Sequence, residues 1–156
     1  MPKFQIRWRA KLLTAALLMV GVGMAEAASF TLPTAQRQVW SLGQALWRER
    51  VLIVRNPPAA YLQAMRRQDA ELQVRDLRIV ALLPPGDPRL TGPHTLMLTL
   101  LVDEGGKVGK QYGPATLIGK DGGVKAKYGV LPTLQTVNAL IDTMPMRQQE
   151  QRVRGR

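Results

Sequence analysis

The chain has 156 residues, no cysteine, a single histidine and a formal net charge of +11, and 46% of its residues are hydrophobic. That length suits one domain with an ordinary core. Without a thiol the chain is excluded from disulfide exchange, thiol peroxidase chemistry and thiolate metal binding, while its basic balance favours anionic partners.

Met1 to Lys11 carries Lys3, Arg7, Arg9 and Lys11, Leu12 to Met24 is apolar, and Ala25-Glu26-Ala27 has small residues flanking the middle position. A charged start, an apolar middle and a small-residue end predict a secretory signal peptide over residues 1–27, cut after Ala27. The protein is therefore expected in the periplasm or outside the cell. The apolar run falls short of the roughly 20 residues that span a bilayer, so no transmembrane segment is expected after cleavage. Cleavage takes four basic residues and one acid from totals of 22 and 11, so the mature chain stays basic. Export argues against nucleic acid as the partner, and the few aromatic residues could not build a base-stacking platform.

Residues 28–35 read as a loose leader. Gln36 to Arg50 has Val39, Leu42, Leu46 and the Trp40/Trp47 pair near one side, which predicts a helix with both tryptophans in the core. Val51 to Val54 is a buried strand by composition. Asn56-Pro57 follows, a good N-cap before a residue suited to the first helical turn, so a helix is expected to begin there. Tyr61, Leu62, Met65 and Leu72 supply its apolar side, and Glu71 and Arg75 stand four apart in the favourable order.

Arg78 to Leu83 reads as a second buried strand. Residues 84–93 hold Pro84, Pro85, Gly86, Pro88, Gly92 and Pro93, a stiff surface loop. Thr95 to Val102 alternates threonine or methionine with leucine, a strand pattern, and Asp103 to Lys110 reads as a glycine-rich connector. Ala115 to Gly119 and Val124 to Tyr128 are strands joined by Lys120-Asp121-Gly122-Gly123, where Asp-Gly suits a two-residue hairpin turn. A phosphate loop is rejected, because that motif opens a helix and here the glycines lead into another strand. Leu134, Val137, Ile141 and Met144 recur at helical spacing, and Pro145 is expected to stop that helix. Residues 146–156 read as a mobile basic tail bearing Arg147, Arg152, Arg154 and Arg156.

Chemistry-bearing candidates are few. His94 is alone and sits beside Pro93 in the loop. Asp103 and Glu104 read as solvated surface acids. Ser29 and Ser41 lie in no nucleophile elbow. No cofactor and no metal site is implied.

Tyr112-Gly113-Pro114, an apolar strand, a Lys-Asp-Gly turn, a second strand and a closing helix resemble the C-terminal half of thioredoxin-like folds. LIGKDGGVK and LIDTMPMRQQE, with Trp47-Arg48, Arg50 before VLIV and Asp76-Leu77 before RIVALL, resemble the peroxiredoxin-like DUDES family, exported domains of unknown function. The resemblance spans about residues 45–150. It implies an α/β thioredoxin-like sandwich over residues 36–145, with a central mixed sheet of four or five strands flanked by helices. It also suggests a helix over Thr95 to Val102. It implies a cis Pro114 facing the active site, and it places the catalytic cysteine of redox-active relatives where this chain has Arg55-Asn56-Pro57-Pro58-Ala59. The function that follows is a non-catalytic exported module binding a protein or an envelope component. Arg55, Asn56 and Pro114 form the candidate notch, and Arg147, Arg152, Arg154 and Arg156 the candidate anionic contacts. Two alternatives are cysteine-independent enzyme chemistry at the Pro114 face and binding to an anionic membrane surface through the basic tail.

Overall fold

A computed structural model describes residues 26–155. The expected signal peptide falls outside the described residues except for Glu26 and Ala27, and Arg156 falls outside them too.

The elements in chain order are β1 (Thr31–Pro33), β2 (Val39–Ser41), β3 (Arg50–Arg55), α1 (Ala59–Arg67), α2 (Asp69–Val74), β4 (Leu77–Leu83), β5 (Leu98–Val102), α3 (Lys107–Tyr112), β6 (Ala115–Ile118), β7 (Val124–Tyr128), α4 (Leu134–Asp142) and α5 (Pro145–Arg154). Strands β3 to β7 form one five-stranded sheet in the order β5-β4-β3-β6-β7. β3, β4 and β5 run parallel, whereas β6 is antiparallel to β3 and β7 to β6. A parallel centre must be covered on both faces, which is why β3 and β4 are near-continuous apolar runs.

The period-two alternation divides these residues between two cores. Leu52, Val54, Ile79, Ala81 and Leu117 face α1, α2 and α4, where Leu62, Met65, Leu72, Val137 and Ile141 meet them. Val51, Ile53, Val80, Leu82 and Ile118 face the other way, onto Phe30, Leu42, Ala45 and Tyr112. The N-terminal segment and α3 thus roof the second face. No helix among the described residues is long and apolar enough to cross a membrane.

Several expectations need correction. Gln36 to Arg50 is not a helix: β1 pairs antiparallel with β2, a short 3-10 turn covers Leu42–Ala45, and Arg50 already lies in β3. Its apolar residues do not share a stripe, because Leu42 and Ala45 are buried while Val39, Leu46 and Trp47 are exposed. Trp40 does pack, 5.9 Å from the Phe30 ring. Trp47 does not: it is 66% exposed, with φ at +63°. Residues 28–35 are not wholly loose, since β1 lies among them.

Residues 98–102 form a strand rather than the helix suggested by resemblance. Leu98 and Leu100 face one core and Leu101 the other, a split that only strand periodicity allows. The first crossover helix starts at Ala59 with Pro58 as its N-cap, not at Asn56, whose φ of +46° lies outside helical space. The connector after Asp103 contains α3.

The β6–β7 turn has one left-handed residue, Gly122 at +80°, where the type I′ two-residue turn that Asp-Gly suits needs two. Gly119 N–H donates to Gly123 O at 2.9 Å, closing a longer loop, and Gly122 N–H donates to Gly119 O at 3.0 Å within it. Pro145 does not merely stop α4, which caps at Thr143; it opens α5 at the first turn. The basic tail is accordingly helical rather than mobile. Pro114 is preceded by a trans peptide: Gly113 takes φ +67° and turns the chain into β6 by backbone rotation instead.

Candidate functional site

In open α/β sheets ligands favour the crevice beyond the carboxyl ends of the parallel strands. Here that pole gathers the end of β3, the loop after β4, the end of β5 and the start of β6. Arg55 N–H donates to Pro114 O at 3.0 Å, and Asn56 N–H donates to Leu82 O at 2.9 Å. The fold therefore does bring Arg55, Asn56 and Pro114 together.

The loop after β4 supplies what sequence reasoning missed. Asp87 precedes Pro88, an arrangement that opens a 3-10 turn over Pro88–Thr91, and the Asp87 side chain accepts from Arg89 N–H at 2.9 Å. This turn aims the Arg89 guanidinium at the β3–α1 junction. Nη1 donates to Pro57 O at 2.5 Å and Nη2 to Asn56 Oδ1 at 2.6 Å. Nε and Nη2 also donate to the two Asp87 carboxylate oxygens at 2.7 and 2.5 Å. Such charge-assisted forks are shorter and stronger than neutral hydrogen bonds. The Arg89 hydrogen bonds hold the Asp87 carboxyl down at about 2. In return, the Asp87 hydrogen bond raises Arg89. The signal available in the sequence was Gly86-Asp87-Pro88, an N-cap residue before a residue that fits the first turn.

Beneath this lock Asp103 is buried, not solvated as expected, and accepts from Val108 N–H at 3.2 Å and Gly109 N–H at 2.7 Å. A Cβ on Gly109 would stand 2.8 Å from Arg55 Cγ and Cδ, so the glycine lets α3 lie against the Arg55 stem. His94 is exposed and contacts Gln36 Nε2. Among the described residues no cluster of three or more His, Asp or Glu could hold a metal ion. Among the described residues this pole offers no thiol and no metal cluster; the Arg89 guanidinium is fully engaged, whereas the exposed Arg55 guanidinium makes no hydrogen bond or ion pair.

The opposite pole, where β3 and β4 begin, is different. Arg50 is 1% exposed and donates to Arg75 O at 2.8 Å and to both Glu150 oxygens at 3.2 and 3.3 Å. Lys120 Nζ lies 2.7 Å from Glu150 and 2.8 Å from Asp76. Arg147, 4% exposed, donates to Val74 O at 2.8 Å and lies beside Asp142 and Glu150. Arg154 donates to Val74 O and to Asp76. Burial pushes the Glu150 carboxyl up, but hydrogen bonds from Lys120 and Arg50 outweigh it and hold it below the usual range. The Arg75 hydrogen bond depresses Asp142. Of the tail arginines, Arg147 and Arg154 thus dock α5, and Arg152 is exposed.

Beside this network lie two grooves of about 370 and 380 Å³ that share Gly119 and Asp121. The first is walled by Leu42, Leu46, Trp47, Val51 and Ile118. Trp47 N–H donates to Lys120 O at 2.7 Å, which holds the residue in its left-handed conformation.

The chain is similar in fold to several solved structures. A reduced 2-Cys peroxiredoxin of Plasmodium vivax matches with a TM-score of 0.61 and 15% identity, over 81% of this chain and 98% of that chain. The exposed lipoprotein thioredoxin of Streptococcus pneumoniae matches with a TM-score of 0.55 and 17% identity, over 75% and 100%. A member of the Sco family of cytochrome c oxidase assembly proteins matches with a TM-score of 0.56 and 16% identity, over 76% and 94%. These likenesses show a thioredoxin-like fold. No curated protein matches the chain. The family model for a domain of unknown function, DUF4174, matches residues 41–150, and the chain belongs to that family.

Proposed function

We propose that the protein is an exported, cysteine-free thioredoxin-like module that acts by holding a protein of the cell envelope, not by redox turnover. The observation that carries this reading is Arg89. Its guanidinium fastens Asn56 and Pro57, at the junction where redox-active relatives of the fold carry their cysteine. A junction fastened by Arg89 and without a cysteine favours binding over redox chemistry. The charged start and the small-residue site at Ala27 support export and a periplasmic or secreted location. Within DUF4174, LIGKDGGVK and LIDTMPMRQQE support placing the chain with the exported DUDES-type domains.

Capture from envelope extracts on the immobilised mature chain tests the reading. A defined protein retained by wild type, and still retained by the charge-reversed Arg152→Glu variant, is the expected result. If no partner is retained under any condition, the reading falls. Wild type that floats with anionic vesicles, with retention and flotation both lost in Arg152→Glu, favours the membrane-surface alternative, since such binding follows charge and salt.

A further inference from the structure

We infer that the groove beside Trp47 receives the carboxyl-terminal segment of a partner protein, extended and ending in a small apolar residue. The α-ammonium that cleavage leaves on Ala28 serves as its counter-charge. The inference rests on the exported, processed reading above.

The chain itself shows how such a segment sits. Ala27 N–H donates to Gly122 O at 3.0 Å, and Glu26 forms an antiparallel bridge with Gly123. Ala27 also lines the apolar groove and packs on the core beneath the sheet. The residues just past the cleavage site are held independently: Tyr112 Oη donates to Ala28 O, and Phe30 is buried against Tyr112 and Trp40. Cleavage therefore frees Glu26 and Ala27 while Ala28 stays in place.

Hydrolysis of the Ala27–Ala28 amide adds one water. The C–N bond breaks, the carbonyl carbon gains the oxygen as a carboxylate, and the nitrogen leaves as an ammonium on Ala28. The seat of Glu26 and Ala27 along the groove is then open, with Gly122 O without its Ala27 donor and a positive charge where the bond had been. An occupant seated as Glu26 and Ala27 were would bring its own terminal carboxylate to that charge. Addition of an extended segment to exposed backbone groups, with one side chain in a pocket, is a common mode of peptide recognition.

Two further features fit. Trp47 stands exposed at the groove wall in a backbone conformation that costs a bulky residue energy, and tryptophan is enriched among the residues that dominate interfaces. Of the three acids that line the groove, Glu26 leaves with the cleaved segment and the other two are already neutralised. Glu49 accepts from Arg78 at 2.5 and 2.7 Å, and Asp121 accepts from Lys125 at 2.7 Å. A carboxylate would not meet an unpaired like charge from either of them.

The test begins with the full chain exported behind its own leader and the first residue of the product read by mass. The product is then titrated calorimetrically with a synthetic peptide of residues 21–27, as the free acid and as the C-terminal amide. The expected outcome is a chain beginning at Ala28 that binds the acid saturably, with the amide and the Trp47→Ala variant each about tenfold weaker, equivalent to about 1.4 kcal/mol. A chain beginning at Ala28 that binds neither peptide, or binds acid and amide equally, overturns the inference and leaves the export reading standing. A product that keeps Glu26 and Ala27 overturns the processing step and the inference together. Self-association of the mature chain in place of peptide binding, seen as a doubled mass by light scattering, also overturns it.

Discussion

The two poles of the sheet handle charge in opposite ways. At the carboxyl ends of the parallel strands, one guanidinium satisfies four acceptors from Asp87, Asn56 and Pro57. At the other pole, Arg50, Lys120, Arg147 and Arg154 interlace with Asp76, Asp142 and Glu150, and an apolar groove with an exposed tryptophan lies alongside. At the first pole the Arg89 hydrogen bonds fasten the β3–α1 junction. The second holds the C-terminal helix and retains open surface. One pole satisfies its junction with a single arginine, whereas the other spreads the same task over an interlaced network of arginines, a lysine and acids.

The largest expected effect comes from the network that docks α5. Glu150→Gln leaves Arg50 and Lys120 facing a neutral partner in a buried setting and is expected to cost about 3 kcal/mol, read as a lower urea midpoint at unchanged slope. Stability unchanged within error would mean that α5 is held by something else.

Next comes the lock at the other pole. Arg89→Ala removes the donors to Pro57 O and Asn56 Oδ1 and is expected to cost about 2 kcal/mol, with faster amide exchange confined to the start of α1. Uniform loosening of the whole sheet would contradict a local latch.

pH sharpens the same contrast. Asp87 sits at about 2, against an ordinary 3.8. Its contribution is therefore complete above 3.8 and is lost as pH falls toward 2. In Arg89→Ala that window closes, because the Asp87 carboxyl returns toward its ordinary value; carboxyl NMR titration reads both. At the alkaline end, burial, assisted by Tyr128, pushes Tyr61 up to about 12 from 10.0. The unfolded chain releases that proton first, so stability falls as pH rises from 10 toward 12. Phenolate absorbance rising fully near 10 in the folded protein would contradict this.

The smallest effect is at Trp47. Trp47→Gly relieves a left-handed bulky residue and gives up little burial, so thermal melting should show a gain of up to about 1 kcal/mol. Stability lost instead would assign Trp47 a structural role.

The central strands were legible because a buried parallel strand leaves a long apolar run, as in Val51–Val54 and Arg78–Leu83. The hairpin and α4 were legible from local turn chemistry and helical spacing. Residues 36–50 misled because apolar residues at near-helical spacing were divided between core and solvent by pairing with β1, a partner whose existence no local pattern reveals. Residues 98–102 show the reverse: their alternation was correct, and the resemblance pulled the other way. For the site, the convergence of Arg55, Asn56 and Pro114 was expected from the thioredoxin-like resemblance. Arg89 did not, because its partners are 32 and 33 residues away and meet only after the strands align. The tail was misjudged for a similar reason. A run of arginines looks solvated until the acids and carbonyls of the α2–β4 turn are placed against it.

Amide and indole chemical-shift mapping of the labelled mature chain, during titration with the residue 21–27 peptide, distinguishes the two poles directly. The account predicts shifts concentrated at Trp47, Ile118, Gly122 and Gly123, with Asn56, Ala59 and Arg89 unmoved. Shifts concentrated instead at Asn56, Ala59 and Arg89 would contradict it and return the working surface to the carboxyl ends of the strands.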